Sequence, residues 1–581
     1  MNGTTDRPGW PVARCLLLTI PWLVAGCADD ARPVETADLI LTNGRLVTVD
    51  DARPEAEALA VRGGLILAVG SNDEIARFRG DATEVIDLAG RLAIPGFIEG
   101  HAHFTGLGQS LMIVDLRDAH GWDEVVARVA AAADEAPPGE WILGRGWHQE
   151  KWDSAPRPDV EGYPVHDRLS AATPDHPVAL THASGHAAIV NALALEAAGI
   201  SDDTADPPGG TILRDADGRA TGVLRETAEG LVERAIEARD RERSPQAIEE
   251  RTRRQIELAT AECLSNGVTS FQDAGSSFST VDRLAAAAED GTLGVRLWVM
   301  LNESNAALAQ VTERFPLIDE HDQMLTVRAV KRVMDGALGS HGAWLLEPYS
   351  DLGDSVGLPT IAVEELAQAA RIALDRGLQL CVHAIGDRAN REVLDVFETA
   401  YAEAPDADLR WRVEHAQHLH PDDLPRFADL GVIASMQAVH CTSDGPWVPD
   451  RIGTARAATG AYMWRALLDS GAVVTNGTDA PVEEIDPIAN FHASVTRRMR
   501  DGERFFPEQR MTREQALRSY TLDAAYAAFE EGLKGSLTPG KLADVTVLSR
   551  DIMTVPEEQI LDAEVVYTIV GGRLAYRADG S

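Results

Sequence analysis

Three observations in the sequence predict an α/β chain built on a parallel (β/α)8 TIM barrel. From Ala247 onward, apolar stretches of strand length alternate with stretches of helix length, the rhythm of repeated βαβ units. With the stretch ending at His101 and His103 counted as the first, the strand count is close to eight. Histidine, lysine and aspartate recur at the ends of these strands, where a barrel of this kind carries its chemistry. A small β-sandwich domain built from both chain ends, and a strand-rich insert after the first barrel strand, complete the expected architecture.

At 581 residues the chain exceeds what one core usually supports, so more than one structural unit is expected. The formal net charge of −39 argues against nucleic acid or an anionic membrane surface as a partner. Lysine is scarce: Lys151, Lys331, Lys534 and Lys541 are the only ones, and arginine serves elsewhere. Each lysine therefore invites the question of whether its amine is needed for chemistry that a guanidinium cannot perform.

At the start, Arg7 and Arg14 precede the apolar run 15–24, too short to span a membrane and right for a signal-peptide core. It ends in LVAGC, Leu23 to Cys27, which resembles a bacterial lipobox. The resemblance implies a signal peptide over 1–27, cleavage before Cys27 and lipidation of its thiol. Export and a lipid anchor in the cell envelope follow, with an ordinary secretory signal as the alternative. Cys263, Cys381 and Cys441 are widely spaced with no CxxC, so a disulfide framework is not expected, with a single bridge left open.

Residues 37–94 read as short alternating strands, with Asn43-Gly44 and Gly63-Gly64 as hairpin-type turns. The same texture returns over 536–577, with Gly571-Gly572 as a third turn pair, so the two ends are expected to form one composite domain. The barrel is expected over 95–535. Its first strand, IPGFIEGHAHF (Ile94 to Phe104), turns His101 and His103 to one side, because strand side chains alternate faces. Two imidazoles at one point begin a metal site, with zinc first among the candidates. From about 107 to 238 the helix–strand rhythm is absent. WILGRGWHQEKW, PVALTHASGHAAIVN and GGTILRDADGRATGVLRET read there as strands and turns of a lid or insert. Beyond Ala247 the strands NGVTSFQDA, GVRLWVML, LTVRAVKRVMDG, LQLCVHAIGD, WRVEHAQH, GVIASMQAVH and AVVTNGTDAP follow, bringing Lys331, His383, His415 and Asp479 to strand ends. A strand-end histidine is often only a hydrogen-bonded polar residue and an aspartate beside Pro a turn residue. Lys331 alone has the plain reading of a strand-end cation paired with Asp335. Together, in this order, with the two histidines of the first strand, they are a much less probable accident than any one of them alone.

The ordered set resembles the amidohydrolase superfamily, and within it amidohydrolase family 3, the YtcJ-like group. The matching motifs are PGFIEGHAH, WILGRGW, SGHAAIVN, GVTSFQDAG, VKRVMDGALGS, HAIGDRAN, VEHAQH, NGTDAPV and GSLTPGKLADVTVL. The resemblance implies one or two divalent ions, with His101, His103 and Asp479 on one and His383 and His415 on the other. It implies a carbamate formed from CO2 on Lys331 as the bridge, which fits a buried amine whose pKa is lowered enough to be neutral. The implied activity is hydrolysis of a C–N bond in a small amide (N-acyl, N-formyl or cyclic) by a metal-activated water. Asp479 is its proton acceptor and donor. His186 and His440 are candidates for holding the substrate or its oxyanion, with a hydrogen-bonded loop histidine as the alternative for each. An ester or lactone hydrolase with the same metals, and a lipoprotein that only binds ligand, are the alternatives; a homodimer is open. Three residues depart from the family pattern: Glu99 stands for Asp, His148 for an acid and Ala438 for Pro. The longer Glu99 is expected to change how His101 is oriented.

Overall fold

Eight parallel strands close around the centre of the molecule: β1 (Phe97–Ala102), β2 (Val268–Ser276), β3 (Arg296–Leu301), β4 (Leu325–Val333), β5 (Gln379–Ala384), β6 (Arg412–His415), β7 (Ile433–Met436) and β8 (Val474–Asn476). Each pairs in parallel with the next in chain order. The computed structural model describes residues 35–579 apart from positions 242, 312 and 313. The signal segment and Cys27 lie outside the described residues.

The expected barrel is present, and it closes at the β1–β8 seam by backbone hydrogen bonds just beyond the strands. Asp479 N–H donates to the His101 carbonyl at 2.8 Å and His103 N–H to the Ala480 carbonyl at 2.8 Å. Two glycines permit this approach. A Cβ on Gly100 would sit 2.4 Å from the Asn476 carbonyl oxygen, and one on Gly477 2.6 Å from the His101 nitrogen. The strands are apolar because both faces are covered, inside by barrel side chains and outside by helices. Helix Pro245–Ser265 starts at the Ser244 cap, whose side chain accepts from Ala247 N–H, and buries Ile256, Ala259 and Cys263. Helix Val363–Arg376 stops where Gly377 turns left-handed, at φ 63°.

Between β1 and β2 the insert folds as a mixed six-stranded sheet. Its order is Gly210–Arg214, Ala220–Glu226, Ala187–Val190, Val178–His182, Ile142–Trp147, Val114–Asp115. Helix Trp122–Glu135 buries Trp122, Val125 and Val129 in one core with Ile142 and Leu180 of this sheet and Leu116 just beyond its edge strand.

Strands from both ends form two further sheets. One is ordered Leu65–Gly70, Ala58–Arg62, Leu39–Thr42, Glu84–Asp87. In the other, Leu92–Pro95 joins the C-terminal Val545–Leu548 antiparallel, with Thr546 opposite Ile94. Leu41, Leu59 and Val61 of the first sheet share a core with Val545, Val547 and Ile569 of the second. Gly63-Gly64 and Gly571-Gly572 do turn antiparallel hairpins. Asn43-Gly44 does not: it carries the chain from one sheet to the other, because Leu41 and Leu46 on its two sides both enter the shared core. Arg296 of β3 and Asp544 lock this unit to the barrel floor, with Nε–Oδ2 at 2.8 Å and both side chains buried.

Candidate active site

The C-terminal ends of β1, β4, β5, β6 and β8 bring the sequence-derived residues to one mouth. His101 Nε2 and His103 Nε2 lie 3.6 and 3.3 Å from Asp479 Oδ1. The His101 and His415 rings are 4.7 Å apart between centroids, and those of His383 and His415 4.4 Å. Ligand atoms of His101, His415 and Asp479 all lie within 4.8 Å of one another. Lys331 sits inside β4 rather than after it, is buried, and donates from Nζ to the Ala274 carbonyl at 3.3 Å. It does not pair with Asp335. That carboxylate instead accepts three backbone N–H groups, from Trp344, Ile385 and Gly386, at 2.8–2.9 Å.

The donor set fits a divalent cation. His415 Nδ1 is held by Gln437 Oε1 at 2.7 Å, which makes Nδ1 the protonated nitrogen and leaves Nε2 with its lone pair. His101 Nδ1 is held by Glu414 in the same way. His101 Nε2, His383 Nε2 and Asp479 Oδ1 are buried and have no hydrogen-bond partner, an expensive arrangement for polar atoms unless something else binds them. Burial, then the charge of Lys331, lowers His101 to about 4, so its imidazole is neutral. Burial and neighbouring imidazoles also push His383 and His415 well below the ordinary histidine value. Burial raises Asp479, but the neighbouring imidazoles, His103 first, outweigh it and hold the carboxyl well below its ordinary value. Lys331 is lowered by burial, opposed by Glu414 and Asp479, which favours the free amine.

Glu99 does not orient the His101 ring. Its Oε1 accepts from Thr478 N–H at 2.7 Å and from His101 backbone N–H at 3.2 Å, and its Oε2 from the Thr478 hydroxyl at 2.9 Å. The extra methylene lets one carboxyl reach across the β1–β8 seam. Glu414, which sequence reasoning passed over, is the group on the ring. The available signal was a charged alternation, Arg412 and Glu414, inside the otherwise apolar β6.

Of the two substrate-binding candidates, His186 comes from the insert. Its Nδ1 meets Glu226 Oε2 at 2.7 Å, and its ring lies 4.9 Å from that of His383. His440, on the helix Ala438–Asp444, receives Gln417 Nε2 on its Nδ1 at 3.1 Å, so its buried Nε2 carries a hydrogen with no partner. Both line a narrow cleft at the mouth, together with His148, Lys151, Trp447 and Glu483. His148 accepts Glu150 N–H on Nδ1 and turns its ring toward Trp447. Ala438 starts its short helix with N–H donated to Asn476 Oδ1, a bond the usual proline could not make. A wider opening, lined by His103, Arg145, Lys331 and Glu229, also reaches His186, His383, His415 and Asp479.

A closed eight-stranded parallel barrel with convergent imidazoles and a carboxylate at its mouth defines a metal-dependent hydrolase as the class of protein. The chain belongs to the amidohydrolase family, whose model matches residues 84–576. It is 34% identical over 553 residues to Protein LONG AFTER FAR-RED 3 of Arabidopsis thaliana, covering 93% of this chain and 92% of that one. It is 27% identical to the N-substituted formamide deformylase of Arthrobacter pascens over 554 residues, 94% of this chain and 99% of that one. An uncharacterized metal-dependent hydrolase of Pyrococcus horikoshii superposes with a TM-score of 0.70 at 27% identity, covering 90% of this chain and 99% of the other.

Proposed function

We propose that this amidohydrolase-superfamily enzyme cleaves a C–N bond in a small amide, N-acyl, N-formyl or cyclic, with divalent metal, zinc first among the candidates. The observation that carries this reading is the convergence at the barrel mouth of buried ligand atoms of His101, His415 and Asp479 within 4.8 Å of one another, with His101 Nε2 and His383 Nε2 making no hydrogen bond. His101, His103, His383, His415 and Asp479 are the residues that would hold one or two ions, with Lys331 carboxylated by CO2 between them. When bound, such ions supply acidified water and a polarised carbonyl. Asp479, ionised and at the centre of the set, takes the proton of the attacking water and returns it to the leaving nitrogen. His440 offers its free Nε2–H to the developing oxyanion, and His186, steadied by Glu226, faces the same space. The deformylase relative acts on an N-substituted formamide, which supports the C–N reading over ester cleavage. Export and a lipid anchor at Cys27 belong to the same proposal and rest on the lipobox-like LVAGC.

The test is metal analysis of the purified protein with a turnover screen over N-acyl, N-formyl and cyclic amides, in the presence of Zn²⁺ and bicarbonate. A protein that binds no metal and turns over none of these overturns the reading. Lys331→Ala is expected to lose metal and activity and to regain part of both with a short carboxylic acid. Unchanged metal content would sink the carbamate.

A further inference from the structure

Glu414 crosses the barrel interior from β6 to touch a residue 313 positions earlier, His101 on β1. The side chains of Glu414 and His101 are both fully buried. One oxygen of the carboxylate, Oε2, meets His101 Nδ1. The other, Oε1, lies 2.7 Å from Arg412 Nε in an ion pair. Arg412 Nη2 donates again to Glu414 Oε2 at 3.2 Å, to the Gly100 carbonyl at 2.7 Å and to Ser435 Oγ at 2.8 Å, while Nη1 holds Gln272 Oε1. The guanidinium thus ties β6 to β1, β2 and β7 directly beneath the ligand cluster.

Two consequences follow from elementary chemistry. A carboxylate on Nδ1 fixes the Nδ1–H tautomer, so the lone pair of His101 is on Nε2, the atom without a partner. A carboxylate so close to a cation site would itself be an attractive ligand; the hydrogen bonds of His101 and Arg412 to Oε2 and the Arg412 ion pair on Oε1 hold it away from that role.

We infer that Glu414 is a positioning residue for His101, fixing the tautomer that presents Nε2 to the ion, and that Arg412 keeps Glu414 in that role. This rests on the metal-dependent reading above. Removing one partner alone would strand a buried charge, so the test uses charge-neutral pairs: Arg412→Met with Glu414→Leu, and Arg412→Met with Glu414→Gln. Zn²⁺ affinity is measured by chelator competition, with circular dichroism and thermal melting of the metal-free proteins as the control for folding. The Met/Leu pair is expected to weaken Zn²⁺ binding by about 10- to 100-fold, and the Met/Gln pair, which keeps an acceptor for Nδ1–H, by less. Wild-type affinity, within about threefold, in a folded Met/Leu protein overturns the inference. Failure of both pairs to fold also overturns it, by assigning the residues to the fold alone. Absence of Zn²⁺ binding by the wild type would instead overturn the metal-dependent reading.

Discussion

His415 and Asp479 both adopt left-handed backbone conformations, at φ 76° and 59°. Side chains with a Cβ avoid that region at a cost of about 1 kcal/mol or more, and persist there when the surroundings hold them. Two of the five imidazole and carboxylate candidates for metal ligation carry this strain. Replacing Asp479 by glycine and by alanine separates backbone from side chain. Both variants lose activity, and the glycine variant is expected to be the more stable by about 1 kcal/mol in chemical denaturation of the metal-free protein. Equal stability would show that the backbone there is not strained. Glu99 gives a pH prediction at the same scale. Burial raises its carboxyl to about 8 against the pull of its three hydrogen bonds, so the folded protein holds a proton that the unfolded chain releases near the ordinary value of 4.5. Folded-state pKa above unfolded means stability fully present below about 4.5 and lost as pH rises through about 8. Glu99→Gln is expected to flatten the pH dependence of metal-free stability across that window; an unchanged profile would refute it.

At the scale of the element, the loop after β4 shows how sequence and insert depend on each other. In MDGALGSHG, Cβ atoms on Gly336 and Gly342 would lie 1.9 and 2.0 Å from Glu226 Oε1, so the loop wraps closely around that carboxylate. Glu226 in turn holds His186. Gly336→Ala is expected to destabilise the protein by about 1–3 kcal/mol, read by denaturation, and to lower turnover by disturbing His186; a neutral effect on both would remove the link. The barrel strands were legible because apolar runs flanked by helices leave few other folds, and the strand-end histidines because their spacing stands out against those runs. What stayed hidden has physical causes. The insert was legible as strand-rich, but its Trp122–Glu135 helix and the order of its six strands follow no repeating unit, so no rhythm announces them. Arg412 and Glu414 read as the polar face of a strand until barrel closure turns that face inward, against His101. The His186–Glu226 pair joins residues 40 positions apart whose contact only the sheet register produces.

For the molecule as a whole, the chain ends return to the barrel floor through Arg296 and Asp544. Asp544 accepts from Arg296 Nε and Nη2 at 2.8 and 3.1 Å and from Gly571 N–H at 2.7 Å. Asp544→Ala strands a buried guanidinium, and a loss of about 3–5 kcal/mol of unfolding free energy is expected; a loss under about 1 kcal/mol would mean the two units are held together elsewhere.

The seam between β1 and β8 carries one further consequence. The bonds that finish the cylinder run through His101, His103, Asp479 and Ala480, the same short segments whose side chains gather at the mouth. Shutting the cylinder therefore brings His101 and His103 to Asp479, and a cation gripped by those side chains would act as a rivet across the last joint. Any excursion that parts the joint would separate His101 and His103 from Asp479.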